Sequence, residues 1–394
     1  MKGKKDLKVL FLSSRVPYPP VGGDRLKNYW LLKILSKHFD VHLVTIAEEQ
    51  DLPSFYKWAD SLGISYKVFF KPKLKIYLNT LKGFFNPLPL QVNCYYFKDV
   101  ENYLKTVYSN YDLIFATLVR TAKYVFELNK PKILDMADSI GLNYKRSQKR
   151  TRSLFWKTLY TIESERLLKF ERRCIENFDK VLLVNKEEVK FFSNPEKVVW
   201  MPNGVDVRLL TYNKVDVTYK NFVAFFGKMD YQPNIDAVLW FVENVLPLLD
   251  KKIGFVIVGA RPAKKILKLQ EKNKRIKVTG FVEDPYKILK GCLCVVAPMQ
   301  TGGGIQNKVL ESMALGTINI VSSLADTGIG GTHKKHYFVL DDPEDIARLI
   351  HQIYSNPAQF ENIKKEAKSF ISKNYTWEIY EKKLLHIISE IKGV

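Results

Sequence analysis

The chain has 394 residues, 46% of them hydrophobic and 26% charged, which is typical of globular proteins and long enough for two domains. Sixty-two Lys and Arg residues against 41 Asp and Glu residues give a formal net charge of +21, mostly from residues 1–200. No stretch approaches the roughly 18 apolar residues of a membrane span. The apolar run Val9–Leu12 is too short for a secretion signal, so we expect a cytoplasmic protein.

The first part of the chain alternates short apolar strands with helices. Strand Lys8–Ser13 leads into a proline-rich loop containing Gly22 and Gly23, followed by helix Leu26–His38 and strand Val41–Thr45. This order predicts a βαβ unit and a parallel sheet. The next predicted strands are Tyr66–Phe69, Asp112–Ala116 and Ile133–Asp138, and the predicted helices are Val100–Tyr108 and Thr121–Leu128.

A long basic segment, Tyr144–Phe178, lacks both Gly and Pro and predicts helix with at most one break. Strand Val181–Asn185, helix Lys186–Phe192 and strand Lys197–Met201 follow. The turn Pro202–Asp206 (PNGVD) then indicates a domain boundary.

The α/β pattern restarts in the second half. The predicted strands are Asn221–Phe226, Gly254–Val258, Ile276–Thr279, Cys292–Ala297 and Thr317–Ser322. The predicted helices are Ile235–Leu249, Ala263–Asn273, Asp284–Lys290, Ile346–Tyr354, Ala358–Lys373 and a last one after Trp377 that ends near Ile391. The two halves therefore repeat one architecture.

The segment Ala297–Gly316 contains the strongest candidate for a binding site. Gly302–Gly304 stand between a buried strand and a helix that carries Lys308 and Glu311. Backbone N–H groups in such a loop, together with the helix dipole, bind anions such as a diphosphate. A carboxylate on the helix can accept the hydroxyls of a ribose. The alternative is a glycine-rich turn in which Glu311 is a surface acid paired with Lys308.

Cysteines and histidines give no clear metal site. Cys292 and Cys294 lack the second pair that a zinc site needs, so we expect free thiols. His333 and His336 flank two lysines in a predicted turn, which is weak support for a metal. We expect neither a metal nor a cofactor.

Two basic stretches lie in the first half. Lys71–Lys82 has four lysines and no acid and precedes Phe84 and Phe85, and Tyr144–Lys157 has six basic residues and no acid. Basic residues interleaved with aromatic ones suit an anionic membrane surface or a nucleic acid. A solvated basic face is the alternative.

The order and spacing of several motifs resemble those of the GT-B-fold glycosyltransferases of family 4, and within them the bacterial sugar transferases of polysaccharide assembly. The motifs are LFLSSRVPYPPVGGDR from Leu10, PNGVD from Pro202, GKMDYQPN from Gly227, GFVED from Gly280 and GGGIQNKVLESMALG from Gly302. The resemblance covers nearly the full length. It implies an α/β chain with two Rossmann-like domains facing a cleft: an acceptor-binding domain (1–204), a nucleotide-sugar-binding domain (205–375) and a C-terminal helix (376–394) that packs back on the first domain.

The resemblance also implies a donor site. Glu311 would bind the ribose, the N–H groups of Gly304 and Ile305 would bind the diphosphate, and Lys228 would stabilise the negative charge of the leaving diphosphate. The implied donor-binding residues are Gly22, Gly23, Gly227, Lys228, Gly303, Gly304, Ile305, Gln306, Asn307, Lys308 and Glu311. The implied catalytic residues are Lys228, Glu311 and Asp138.

The chain departs from the family pattern at a few positions. The family has Glu-x7-Glu, but Gly303 stands eight residues before Glu311, where the first Glu would touch the donor sugar. Asn234 lies near the place of a second family lysine, and we hypothesise that Lys308 supplies that charge. No histidine corresponds to the one common in the first domain. Asp138 is the nearest candidate there, with a turn or helix-cap role as the alternative.

Together these features predict a retaining, metal-independent glycosyltransferase. It would move a sugar from a UDP- or GDP-linked donor to a glycan or lipid-linked acceptor in bacterial surface polysaccharide synthesis. We expect contact with the inner face of the cell membrane through the basic first domain, and no nucleic acid partner. The alternatives are a nucleotide-sugar epimerase on the same fold and a non-catalytic protein that binds nucleotide-sugars or nucleic acid.

Overall fold

The computed structural model describes residues 7–48, 52–151, 153–302 and 305–393. Its contacts divide the chain into two compact units. The first contains the chain up to Met201 and again from Glu381 onward, and the second is Pro202–Tyr380. The division falls at the start of the PNGVD turn, three residues before the domain boundary predicted from the sequence.

The first unit contains a seven-stranded sheet in which all described neighbours are parallel. Its strands are β1 (Lys8–Ser13), β2 (Asp40–Ala47), β3 (Ser65–Phe70), β4 (Leu113–Thr117), β5 (Lys132–Ala137), β6 (Lys180–Leu183) and β7 (Val198–Trp200). Their order across the sheet is β3-β2-β1-β4-β5-β6-β7. Apart from Lys8, strand β1 is completely buried, as expected of a central strand that helices cover on both faces.

The described helices of the first unit cover both faces of this sheet. They are α1 (Gly23–His38), α2 (Pro53–Leu62), α3 (Lys73–Lys82), α4 (Leu90–Cys94), α5 (Lys98–Val107), α6 (Val119–Ala122), α7 (Ile140–Arg150), α8 (Leu154–Asn177) and α9 (Lys186–Phe192). One side of the sheet packs into a core that includes Leu10, Ile114, Leu134 and Val181. On β1 and β4, the rings of Phe11 and Phe115 stack 5.4 Å apart.

The second unit contains a six-stranded parallel sheet in the described residues. Its strands are β8 (Phe222–Phe226), β9 (Gly254–Val258), β10 (Ile276–Gly280), β11 (Cys294–Ala297), β12 (Asn319–Val321) and β13 (Phe338–Val339), in the order β10-β9-β8-β11-β12-β13. Its helices are α10 (Gln232–Asn244), α11 (Lys264–Lys272), α12 (Tyr286–Gly291), α13 (Asn307–Ala314), α14 (Ser323–Asp326), α15 (Pro343–Ser355) and α16 (Glu361–Asn374).

The last helix, α17 (Trp377–Lys392), begins in the second unit and is grouped with the first unit from Glu381 onward. Within the first unit, Glu381 forms an ion pair with Lys37 at 2.8 Å, and its Oε1 lies 2.7 Å from Nε2 of His38, both at the end of α1. Further along α17, Glu390 pairs with Lys180 at 3.2 Å.

Several predicted elements differ from the structure. The predicted helix Thr121–Leu128 is a single α-helical turn, α6, followed by a 3-10 turn. The predicted helix Ile235–Leu249 ends at Asn244, because Pro247 removes a backbone donor from the next turn. Helices α2, α3 and α4 and strand β13 were not predicted. The segment Tyr144–Phe178 was predicted to be helical with at most one break, and the structure has one, since α7 ends at Arg150 and α8 begins at Leu154.

All four cysteines are free thiols, as predicted. Among the described helices, none combines the length and apolar character that crossing a membrane requires.

Candidate functional site

The second unit places its glycine-rich loops at the point where the strand order of the sheet reverses. From β8 the chain continues to β9 and β10 on one side, and from β11 it continues to β12 and β13 on the other. The connections after β8 and β11 therefore diverge, which leaves a crevice at the carboxyl ends of these strands. Gly227 and Lys228 follow β8, and the segment from Pro298 to Gln306 connects β11 to α13.

Gly227 and Gly259 bring the ends of β8 and β9 into close contact. Both have positive φ angles, +153° and +157°. A Cβ atom on Gly259 would lie 1.8 Å from the carbonyl oxygen of Gly227, so no side chain fits there. These glycines therefore let the backbone fold tightly around the crevice.

Lys228 extends beside Gly227 and remains partly accessible. Its Nζ lies 3.1 Å from Oδ1 of Asp230, and both side chains are about one third exposed. Such a pair is weak in solvent, so the ammonium group can exchange this partner for an anionic ligand.

Lys308 is buried below the same loop. Its Nζ donates to Oδ1 of Asn234 at 2.6 Å and to Oε1 of Gln306 at 3.2 Å, and it lies 5.0 Å from the centre of the Phe225 ring. Asn234 in turn donates from Nδ2 to the carbonyl oxygen of Lys228 at 2.9 Å. Burial lowers the pKa of Lys308 to about 7. The structure thus brings Lys308 and Asn234 together beside the predicted diphosphate site.

Glu311 lies one turn further along α13 and has a different partner. Its Oε2 accepts a hydrogen bond from the Tyr286 hydroxyl at 3.3 Å. Burial raises the pKa of Glu311 to about 7, although this hydrogen bond opposes the shift. The predicted alternative, a surface acid paired with Lys308, does not describe this site, since the two side chains bind separate neutral partners.

Tyr286 is a site residue that the sequence analysis missed. Its ring packs edge-on against Tyr212 at 6.1 Å and Phe226 at 6.3 Å, which holds its hydroxyl toward Glu311. The Tyr212 hydroxyl donates to Oδ2 of Asp284 at 2.7 Å. Asp284 ends the GFVED motif, so that motif marked this corner of the site but gave no sign of the tyrosine beside it.

The remaining predicted donor residues surround the start of α13. Gln306 is the N-cap residue and Asn307 begins the helix. Oδ1 of Asn307 accepts from Nδ2 of Asn203 at 2.9 Å, while Oδ1 of Asn203 is buried without a partner among the described residues. Ile305 is half-buried before the helix. Gly303 and Gly304 lie outside the described residues.

The predicted glycines of the first unit lie at an equivalent position in its sheet. Strand order reverses between β1 and β4 there, and Gly22 is the N-cap of α1 in the loop after β1. Its φ of +106° requires glycine. Gly23 is the first residue of α1, and a Cβ atom there would meet no atom within 4 Å.

Asp138 follows β5 in the first unit and belongs to a group of buried charges. Its Oδ1 is buried and has no hydrogen-bond partner among the described residues. Burial raises the pKa of Asp138, while the nearby cations Lys27 and Arg146 oppose this shift. Ser139, not Asp138, caps α7, because Leu142 N–H donates to Ser139 Oγ at 3.1 Å. The helix-cap alternative for Asp138 is therefore wrong.

Four residues around Asp138 hold fixed ionic contacts. Nζ of Lys27 lies 2.8 Å from Oδ1 of Asp135, and both side chains are buried. Nη1 of Arg146 lies 3.3 Å from Oε1 of Glu188, whose pKa is raised to about 8 by burial and by the charge of Asp138. Burial and their mutual repulsion thus raise the pKa values of both carboxyl groups, Asp138 and Glu188.

A buried glutamate on α8 supports the same loop. Oε2 of Glu171 accepts from Ser139 Oγ at 2.6 Å, and Oε1 accepts from the N–H of Gly141 at 3.0 Å. Burial raises the pKa of Glu171 to about 7. The sequence analysis named none of Lys27, Asp135, Arg146, Glu171 or Glu188, although Asp135 lies on the same strand as the predicted Asp138.

Two arginines flank Tyr95 where the strand order of the first sheet reverses. Arg15 follows β1, donates from Nε to the Tyr95 hydroxyl at 3.1 Å and pairs with Asp24 at 3.3 Å. Arg120 follows β4, donates to Gln91 Oε1 at 2.9 Å and lies 5.1 Å from the centre of the Tyr95 ring. The sequence analysis assigned no role to these arginines.

The structure therefore brings the predicted residues together in two separate sets. One set lies in the second unit: Gly227, Lys228, Ile305, Gln306, Asn307, Lys308 and Glu311. The other lies in the first unit: Gly22, Gly23 and Asp138. Within the described residues, no group of His, Cys, Asp and Glu side chains has the arrangement of a metal site.

Comparison with known proteins adds a family match in the second unit. Residues 220–356 match the model of the family "Glycosyl transferases group 1". Over 390 residues the chain is 24% identical to an uncharacterized 44.6 kDa protein in the cps region of Klebsiella pneumoniae, covering 93% of this chain and 96% of that protein.

Solved structures share the fold of the whole chain. HepE of Anabaena in complex with UDP-glucose is 16% identical, with a TM-score of 0.66, over 98% of this chain and 100% of that one. Sucrose-phosphate synthase of Thermosynechococcus elongatus is 14% identical, with a TM-score of 0.71, over 98% and 99% of the two chains. With the two parallel sheets, these matches confirm the predicted α/β fold class of the GT-B type.

Proposed function

We propose that the protein is a glycosyltransferase that uses a nucleoside-diphosphate sugar. The observation that carries this proposal is the site on α13, where a buried cation, Lys308, and a half-buried acid, Glu311, lie at a strand-order reversal with neutral described partners. A cation and an acid on one helix suit the two ends of a nucleoside diphosphate. The match of residues 220–356 to a glycosyltransferase family supports the same conclusion.

The chemistry assigned to each residue follows from its place. The carboxylate of Glu311 has further lone pairs besides the one that accepts from Tyr286, and these accept hydrogen bonds from the ribose hydroxyls. The first N–H groups of α13 and the ammonium groups of Lys228 and Lys308 bind the diphosphate. As the bond between sugar and phosphate breaks, these cations stabilise the charge that develops on the leaving group. Two lysines and a helix N-terminus supply the positive charge that a metal provides in other transferases, so we propose metal-independent transfer.

The finer parts of the proposal concern donor, acceptor and location. HepE was solved with UDP-glucose, which favours a uridine nucleotide in this chain too. The relative in the cps region of Klebsiella pneumoniae favours surface polysaccharide synthesis, with a glycan or lipid-linked acceptor. We further propose that transfer retains the anomeric configuration, as the family 4 resemblance implies, and that it takes place at the cytoplasmic face of the membrane with Asp138 contacting the acceptor or donor sugar.

A thermal-shift screen with UDP, GDP, ADP and their common sugars, in the presence of a chelator, tests the donor site. A ligand that binds the folded state raises the midpoint of unfolding by mass action. We expect one base to raise it, the Glu311→Ala variant to lose this shift, and Glu271→Ala, which changes an exposed acid on α11, to keep it. A chain that responds to no nucleotide contradicts the proposal.

Product analysis then separates transfer from epimerisation. Incubation with the donor that binds, and without an acceptor, should give at most slow release of free sugar and nucleotide. Conversion of the donor into a second nucleotide-sugar would contradict transfer and identify an epimerase.

A further inference from the structure

Helix α3 and the turn after it expose an apolar face. Among the residues of α3, only Ile76 is buried. Leu74 is 69% exposed, and Tyr77, Leu78 and Leu81 on the same side are also exposed. Phe85, in the 3-10 turn that follows, is 91% exposed, and its neighbour Phe84 is exposed as well. We call these six residues the α3 apolar face: Leu74, Tyr77, Leu78, Leu81, Phe84 and Phe85.

The orientation of α3 is opposite to that of an ordinary surface helix. Amphipathic helices of globular proteins turn their apolar side toward the core. Here the inward side is partly polar, since Nδ2 of Asn79 donates to the carbonyl oxygen of Tyr96 at 2.9 Å. The start of the helix is held by the ion pair of Lys71 with Asp99. The protein therefore fixes α3 with its polar contacts and leaves the leucines to solvent.

Helix α8 fixes the turn after α3 and extends the apolar surface. Arg166 donates to the carbonyl oxygens of Gly83, Asn86 and Leu88, and Oε2 of Glu163 accepts from the N–H of Leu90 at 2.7 Å. These bonds place the middle of α8 directly against the turn that carries Phe84 and Phe85.

Of the four large apolar residues that are exposed on α8, two lie on the side that meets this turn. Phe155, Ile162 and Arg166 are spaced by seven and four residues, so they share one face of the helix. Phe155 is 67% exposed, and Ile162 is also exposed. Apolar surface therefore extends along α8 from its contact with the turn after α3.

The two chain segments that form this surface carry only basic charges. Residues 61–98 and 139–162 contain no Asp or Glu. Lys73, Lys75 and Lys82 are exposed on α3 beside the leucines, and Lys157 is exposed beside Phe155. A protruding apolar face with a cationic rim complements a bilayer whose surface is anionic.

We propose that the α3 apolar face, together with Phe155 and Ile162, inserts into the interface of an anionic lipid bilayer and anchors the first unit there. The inference rests on the proposed function for its purpose, which is to hold the enzyme where a lipid-linked acceptor is presented. It identifies the anchoring elements as α3, the turn after it and the start of α8.

The same observations argue against two other occupants. A nucleic acid binds through phosphate contacts and stacking on aromatic rings, whereas three of the six residues of the face are leucines. A second copy of this chain would bring two cationic rims together, and like charges repel. An anionic lipid surface buries the leucines in its interface and attracts the lysines to its headgroups.

Co-sedimentation with vesicles tests the anchor independently of catalysis. We expect the wild-type protein to bind vesicles of phosphatidylcholine and phosphatidylglycerol in about a 7:3 ratio much more tightly than vesicles of phosphatidylcholine alone. The triple variant Leu78→Ser, Leu81→Ser, Phe85→Ser should lose at least about tenfold in partitioning, because it removes apolar groups that enter the interface. Replacing Lys75 and Lys82 by Gln should weaken binding about fivefold per lysine.

The matched control changes exposed apolar residues of the second unit: Leu248→Ser, Leu267→Ser, Phe281→Ser. It should bind anionic vesicles like the wild type. Equal binding by the α3 triple variant and the wild type, or binding of an RNA oligonucleotide in place of vesicles, overturns the proposal. Because the triple variant leaves α13 intact, its nucleotide thermal shift should be unchanged. A chain that binds vesicles but no nucleotide therefore contradicts only the proposed function. A chain that binds nucleotide but no vesicles contradicts only the proposed anchor.

Discussion

In the first unit, the two cations nearest Asp138 contact carboxyl groups of the protein itself. Lys27 pairs with Asp135 at 2.8 Å, and Arg146 pairs with Glu188 at 3.3 Å. In the second unit, the buried ammonium group of Lys308 is bound by side-chain amide oxygens. The two sheets have the same parallel construction and the same reversal of strand order, yet they treat charge in opposite ways.

This difference agrees with the proposal that the second unit binds the charged nucleotide. A buried cation with amide partners pays a desolvation cost that an incoming anion can offset. Lys27 and Arg146 of the first unit already contact carboxyl groups, so they have less need of an anionic ligand than Lys308. In both units the fold places polar side chains at the carboxyl ends of the central strands. The proposed roles of the two units differ in the partners of their buried cations.

The largest expected effect concerns the stability of the first unit. Lys27→Met removes the ammonium group that pairs with the buried Asp135, and breaking a buried pair in this way costs about 3–5 kcal/mol. For a unit of this size, the midpoint of thermal unfolding should fall by roughly 10 °C. Calorimetry on the full chain measures it.

The double variant Lys27→Met, Asp135→Leu is the control. By removing both charges it should recover much of the lost stability, because an apolar pair can replace a buried ion pair. An unchanged midpoint in Lys27→Met would show that the pair is not needed and would remove the contrast between the two units.

The sequence predicted the sheets better than the sites. Continuous apolar runs such as Lys8–Ser13 and Gly254–Val258 became the central strands, because a parallel strand covered on both faces must be apolar throughout. Helix α3 was missed although Leu74, Tyr77, Leu78 and Leu81 have the i, i+3, i+4, i+7 spacing of an amphipathic helix, and that spacing does not reveal whether the apolar side faces the core or solvent.

The candidate site could be predicted only where it follows from local sequence. Glu311 and Lys308 lie within one recognisable stretch. Tyr286 and Glu188 reach their sites from 25 residues before Glu311 and 50 residues after Asp138, through contacts that only the folded chain creates. Hydrophobic periodicity along the chain does not reveal contacts between residues that are so far apart in sequence.

The next prediction tests the proposed role of Asp138. Asp138→Asn removes a carboxylate whose Oδ1 is buried and unpartnered, while leaving the shape of the loop unchanged. We expect turnover to fall about 100-fold, as for the loss of one group that contacts the reacting atoms. The affinity for the nucleotide should remain unchanged, since the nucleotide is assigned to the second unit.

Steady-state kinetics with the donor that the wild-type protein uses measures the turnover. Calorimetric titration with the nucleotide measures the affinity. A matched change at an exposed acid of the same unit, Glu165→Gln on α8, should alter neither. If Asp138→Asn weakened nucleotide binding as well, the division of roles between the two units would be wrong.

Replacing Lys308 should separate stability from binding. Lys308→Met removes a buried cation that lacks a described acidic partner, so the midpoint of the unliganded protein should rise by a few degrees. The same change should weaken nucleotide binding about tenfold, because one charge-assisted contact to the diphosphate is lost. A higher unfolding midpoint combined with a weaker nucleotide affinity would distinguish Lys308 from Lys27, whose removal only lowers the midpoint. A lower midpoint for Lys308→Met would mean that its amide contacts outweigh its desolvation.

The smallest expected effect is the pH dependence of nucleotide affinity. Burial raises the pKa of Glu311 to about 7 and lowers the pKa of Lys308 to about 7. The raised pKa of Glu311 contributes folding stability that is fully present below the pKa of this group in the unfolded chain and is lost as the pH rises through 7. The lowered pKa of Lys308 contributes folding stability that is fully present above the pKa of this group in the unfolded chain and is lost as the pH falls through 7.

Binding needs the opposite charge states: an ionised Glu311 to accept the ribose hydroxyls and a protonated Lys308 to bind the diphosphate. Affinity should therefore peak near pH 7 and fall a few-fold one pH unit to either side. Titration calorimetry across this range measures it. Glu311→Gln should remove the loss on the acidic side and Lys308→Met the loss on the alkaline side, while the double variant retains only the titration of the nucleotide itself. A wild-type profile that coincides with the double variant's would show that neither group titrates at the site, and the charge contrast between the units would then rest on the ion pairs of the first unit alone.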